Sequence, residues 1–135
     1  QSPINRGLWS SNNLSMIHDR MCQLLLQGDA DADLDLILHS PYAPWEGAWA
    51  RKPFPGMLEA GRQLIDAASI DPSMEGLHIK YGDEWVDRPD ESTSVMVGDR
   101  GVDMSAATRF GVHGVLCRGR DGIAGVIDSI LGGSD

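Results

Sequence analysis

The sequence predicts an α/β domain built on a parallel sheet, and three observations carry that prediction. Apolar stripes at helical spacing alternate with short apolar runs of strand length. Proline and glycine punctuate the changeovers, at Pro55-Gly56, Gly98 and Gly111. One run, Val95-Met96-Val97-Gly98-Asp99, ends a strand pattern on a carboxylate, at the end of the strand where open α/β sheets hold their ligands.

In chain order, Ser10 or Ser11 can cap a first helix whose stripe is Leu14, Ile17, Met21, Leu24 and Leu25, with Gly28 as its end. The Asp29-Ala-Asp31-Ala-Asp33 stretch reads as a solvated loop. Residues 34–39 (LDLILH) read as a short strand, followed by a loop containing Pro and Trp that runs to Lys52. Pro55-Gly56 opens a second helix with Leu58, Gly61, Leu64, Ile65 and Ala68 on one face. Residues 70–93 are the least regular, and 77–86 have the pattern of a β-hairpin around Gly82-Asp83. Residues 94–97 form a strand. Met104, Ala107 and Phe110 mark a short helix that Gly111 ends, and 113–117 form a further strand. A last helix carries Ile123, Val126, Ile127, Ile130 and Leu131.

A chain of 135 residues suits one domain, 1–135, with an irregular insertion at 70–93. Its 20 acids against 11 bases give a net charge of −9, a field that repels polyanions, so no nucleic-acid partner is expected. No apolar run approaches the roughly 18–20 residues of a membrane span, and no basic-then-apolar leader opens the chain. The expectation is a cytoplasmic protein without a membrane partner, with Cys22 and Cys117 as free thiols.

Two clusters can do chemistry. Asp99 at a strand end and Asp103 at the start of the next helix can face one point, and two hard carboxylates there suit a magnesium ion that keeps several waters. The plainer alternative is a turn residue and a helix cap. Arg51-Lys52-Pro53 sits just before the second helix, where a lysine is a point charge for phosphoryl oxygens; the alternative is a solvated basic pair. Arg6, Arg51, Lys52, Arg100, Arg118 and Arg120 all lie at the start or in loops where a strand hands over to a helix. In so acidic a chain, that gathering fits an anion site.

R-K-P-x-P-G-M, then V-G-D-x-x-x-D and A-A-x-x-x-G-V, resemble the third and fourth motifs of HAD (haloacid dehalogenase-like) superfamily phosphatases. They take the form found in heptose bisphosphate and histidinol-phosphate phosphatases. Gln1-Ser2-Pro3-Ile4-Asn5-Arg6-Gly7 is similar to that group's T-N-Q-S-x-x-x-R-G stretch, entered at its glutamine. The resemblance implies a HAD-like (Rossmannoid) parallel sheet with flanking helices, here lacking its first two strands. It also implies a magnesium-dependent phosphatase for a small phosphorylated metabolite, such as a sugar phosphate, working through an aspartyl-phosphate when complete. By that resemblance Lys52 is catalytic, Asp99 and Asp103 belong to the metal site, and Gln1, Ser2, Arg51 and Arg100 bind substrate.

The family's D-x-D nucleophile motif is not found. Asp29-Ala-Asp31 and Asp31-Ala-Asp33 precede an expected strand and so point to the wrong end of a sheet. The alternative to an enzyme is therefore a non-catalytic HAD-like module that binds a phosphometabolite or a protein. Exposed strand edges beside the missing strands would favour a homo-oligomer or complementation by an N-terminal segment. Many heptose bisphosphate phosphatases hold zinc before the R-K pair. Ser40, Tyr42, Ala48 and Ala50 stand at those ligand positions, so no zinc is expected.

Overall fold

A computed structural model describes residues 10–42 and 44–132. The chain divides into two compact units. One comprises the described residues up to Ala48 with Gly61–Leu77, and the other Trp49–Ala60 with the chain from His78 onward.

In the first unit, α1 spans Ser11–Gly28. Ser10 caps it from an extended conformation, its Oγ accepting the Asn13 N–H at 3.1 Å, as its place before the apolar stripe predicts. Leu14 is buried, while Ile17, Met21, Leu24 and Leu25 of the same stripe are each more than a third exposed. Gly28 is still helical. The stop comes one residue later at Asp29, which is extended and whose carboxylate accepts the Asp31 N–H at 2.8 Å, turning the acidic run back on itself.

The strand expected at 34–39 does not form. Leu36 and Leu38 keep strand-like alternation, since both lie within 4 Å of where a Cβ on Gly61 would stand. No strand among the described residues pairs with this segment, and without a ladder an extended segment is not a strand.

Helix α2, Gly56–Ile70, starts where Pro55-Gly56 predicts. Its first turn belongs to the second unit and the remainder to the first. The hairpin expected at 77–86 is also absent. A 3₁₀ turn, Gly82–Glu84, stands there instead. The reason lies in side chains. The Gly82 N–H donates to the Glu59 carboxylate at 2.9 Å, and the Gly82 carbonyl accepts from Arg88 Nη2 at 2.9 Å. The backbone groups a ladder would use at the turn are already satisfied.

The core of the second unit is a strand–helix–strand. β1 (Val95–Gly98) and β2 (His113–Leu116) pair in parallel, Val95 opposite His113 and Gly98 opposite Leu116, and α3 (Gly101–Phe110) connects them. This two-stranded parallel sheet with flanking helices is the α/β class expected. Ala106, Ala107, Val115, Cys117 and Trp85 are its buried apolar residues. Gly111 ends α3 with φ of 93°, a left-handed conformation that suits glycine, and its N–H donates to the Ala107 carbonyl at 2.8 Å. The single helix expected over 123–131 is instead a 3₁₀ stretch, Gly122–Val126, followed by α4, Ile127–Leu131. Gly122 and Gly125 weaken the α form in the first part. Both cysteines are free. Among the described residues no helix is long and apolar enough to cross a membrane.

Candidate active site

β1 delivers Asp99 to its carboxyl end, and the chain must turn there within two residues to start α3. Gly98 makes that possible: a Cβ at this position would collide with the Asp103 side chain. Asp103 is the third residue of α3, where the helix dipole and the unpaired amide groups of the first turn favour a carboxylate. Its Oδ2 accepts the backbone N–H of Asp99 at 3.1 Å and of Arg100 at 3.0 Å, and its Oδ1 is ion-paired with Lys52 Nζ. One carboxylate thus ties the end of β1, the start of α3 and the loop before α2.

Asp103 is only 2% exposed. Burial pushes its carboxyl up, but the hydrogen bond from Lys52, the Arg100 N–H, the Lys52 charge and the Asp99 N–H together outweigh it. The carboxyl is held below its ordinary value of 3.8. Asp103 is therefore ionised at neutral pH, with one Oδ1 lone pair uncommitted.

Asp99 is the opposite case. It is exposed, and its carboxylate makes no hydrogen bond or ion pair among the described residues. Its Oδ2 lies 3.7 Å from where a Cβ on Gly119 would stand, so the turn after β2, with Arg118 and Arg120, borders it. An exposed hard carboxylate with a second, anchored one fixed behind it fits a divalent cation that keeps most of its water. Asp99 would be the direct oxygen donor. Among the described residues no group of three or more His, Cys, Asp and Glu side chains converges as a closed metal cage would.

Lys52, Asp99 and Asp103 are thus brought together, and Arg100 joins them through its backbone N–H. The Arg100 side chain is exposed. The Lys52–Pro53 peptide bond is cis, and the Arg51 carbonyl accepts the Phe54 N–H at 3.0 Å in the same turn. Gln1, Ser2 and Arg6 lie outside the described residues.

A second polar cluster escaped the sequence reading. Glu59, in the first turn of α2, is fully buried. Its Oε1 accepts Trp49 Nε1–H at 2.5 Å, and its Oε2 accepts the Gly82 N–H and pairs with Arg88 Nη2. Arg88 also lies over the Trp85 ring, 4.6 Å from its centroid, and Trp85 stacks on Phe110. The only local hint was an acid in a helix's first turn, which the dipole favours in any exposed helix as well.

The HAD-hydrolase-like family model matches residues 49–122, more than half of the chain and all of both clusters. A D-glycero-β-D-manno-heptose-1,7-bisphosphate 7-phosphatase from Bordetella bronchiseptica is 38% identical over 72 residues, covering 52% of this chain and 39% of the relative. The match therefore spans about two-fifths of that relative's length. No solved structure matches the chain.

Proposed function

Because the chain belongs to the HAD-hydrolase-like family, we propose that it carries the lysine and carboxylate side of a magnesium-dependent phosphatase site for a small phosphorylated metabolite. One observation carries this reading: Asp103 pairs with Lys52 while holding the backbone of Asp99, so a cation and an open carboxylate are fixed in one place. A sugar phosphate is the substrate class, supported by the name of the Bordetella relative.

The Lys52 ammonium has three N–H donors, and one is taken by Asp103. The other two face the transferring phosphoryl oxygens and offset the charge that builds on them. Asp103 orients the amine and does not itself react. Arg51 and Arg100, with Gln1 and Ser2, hold the substrate's phosphate. Magnesium held by Asp99 supplies Lewis-acid stabilisation of phosphoryl oxygen. In the intact protein the attacking carboxylate would come from the family's D-x-D motif. Its oxygen bonds to phosphorus as the bond to the alcohol breaks, and water then hydrolyses the acyl phosphate.

The test is hydrolysis of an aryl phosphate by the intact gene product across a magnesium titration. Activity should require magnesium and be abolished by Asp99→Asn with the fold retained by circular dichroism. Near-normal turnover of Asp99→Asn, or no hydrolysis by the unaltered protein, would overturn the reading.

A further inference from the structure

Lys52 sits midway along an eight-residue loop, Trp49 to Gly56, and that loop is closed on itself at Trp49. The Trp49 carbonyl accepts the Gly56 N–H at 3.0 Å, and a Cβ on Gly56 would collide with that carbonyl and with the indole. The Trp49 ring stacks on Phe54 with centroids 5.3 Å apart, and Arg109 lies 5.0 Å above the Phe54 ring. What holds Trp49 itself is Glu59, through the indole N–H at 2.5 Å.

A fully buried carboxylate is costly unless every lone pair facing the protein is used and its charge is balanced. Towards both conditions the 82–88 segment supplies Glu59 with the Gly82 N–H and the Arg88 guanidinium. The carboxylate therefore joins three things: the first turn of α2, the ring that closes the Lys52 loop, and a segment otherwise short of regular structure. Trp49 is the link from this carboxylate to the Lys52 loop.

We infer that Glu59 is a positioning residue for Lys52: with Arg88 as its counter-charge, it fixes Trp49 and so sets where the Lys52 amine meets Asp103 and the phosphoryl group. The catalytic consequence rests on the reading of Lys52 given above, whereas the positional one does not. Residues 82–88 then serve as a latch on the loop before α2, with the Glu59 carboxylate as its catch.

The chain has two lysines, Lys52 and Lys80, which makes competitive acetylation read by mass spectrometry a direct probe. The ratio of Lys52 to Lys80 labelling cancels reagent concentration, and circular dichroism establishes that each variant is folded. Trp49→Phe keeps an aromatic ring to pack on Phe54 and removes the N–H donor together with the second ring of the indole; Glu59→Leu removes the acceptor. Each should raise the ratio roughly tenfold or more, the range expected for losing a hydrogen bond to a charged group. The double variant should go no further than either single one. If Glu59→Leu fails to fold, Trp49→Phe decides alone.

In the intact enzyme the same variants should lower kcat on an aryl phosphate while KM moves less than about twofold, the pattern of a displaced transition-state contact. An unchanged labelling ratio in folded Trp49→Phe overturns the inference. Lack of hydrolysis by the unaltered protein, with the ratios shifted as expected, leaves Glu59 as the positioning residue and overturns only the phosphatase reading.

Discussion

Asp103 and Glu59 are two buried acids in one compact unit, and they differ in where their hydrogen-bond donors originate. Two donors to Asp103 come from three and four residues away, on the turn between β1 and α3; among the described residues Lys52, 51 positions away, is the only distant one. The donors to Glu59 come from 10, 23 and 29 positions away. Asp103 is therefore a local cap to which one long-range contact has been added. Glu59 exists as a buried charge only once three separated stretches have met. The first arrangement is tied to a helix start and persists wherever that helix forms; the second is cooperative and is lost as a unit.

The largest expected effect falls on the distant donor to Asp103. On the phosphatase reading proposed above, Lys52→Met should lower aryl-phosphate turnover by roughly a hundredfold or more, and Arg118→Ala should chiefly raise KM. A larger fall in turnover from Arg118→Ala would remove Lys52 from the centre of the site. Next in size is stability. Glu59→Leu removes the counter-charge of Arg88 and the acceptor of two N–H groups and should cost about 2–4 kcal/mol in urea unfolding. Asp103→Asn keeps an oxygen for the backbone amides and should cost about 1–2 kcal/mol. The reverse order would break the contrast between local and distant support.

Of similar size is Gly98→Ala, expected to cost about 1–3 kcal/mol because a Cβ meets Asp103, whose position is fixed. Gly101→Ala, open to solvent at the start of α3, should lie within about 0.5 kcal/mol of the parent. The smallest effect concerns acid. The folded-state carboxyl of Asp103 is depressed, so the stability it contributes is fully present above its ordinary value of 3.8 and is lost as pH falls through the lower folded value. Asp103→Asn should flatten that part of the acid-unfolding curve, and an unchanged curve would remove Asp103 as its cause.

The same division explains what could be seen in the amino-acid sequence. Ser10 as a cap, Pro55-Gly56 as a start, Gly111 as a stop and the glycine before Asp99 are local signals, and each stands where it was expected. The juxtaposition of Lys52, Asp99 and Asp103 was legible because two motifs carried it. Residues 34–39 misled because a strand is a property of a pair, and their apolar alternation is spent on packing near Gly61. Residues 77–86 misled because Glu59 and Arg88 capture the backbone of Gly82. Glu59 itself left no pattern, since nothing links Trp49, Gly82 and Arg88 along the chain.

Gly114 offers a different kind of consequence. A Cβ there would stand 3.0 Å from Met104 Sδ and 3.1 Å from Ala107 Cβ. The methionine tip can swing away; the alanine Cβ is carried by the helix backbone and cannot. The separation of α3 from β2 is thus set by a glycine on one side and an alanine on the other, with no slack between them. Divergence at this contact should run as an exchange of volume. A chain with alanine at position 114 should carry glycine at 107, and a chain with larger residues at both should show α3 displaced from the strand, carrying Asp103 and its hold on Lys52 along with it.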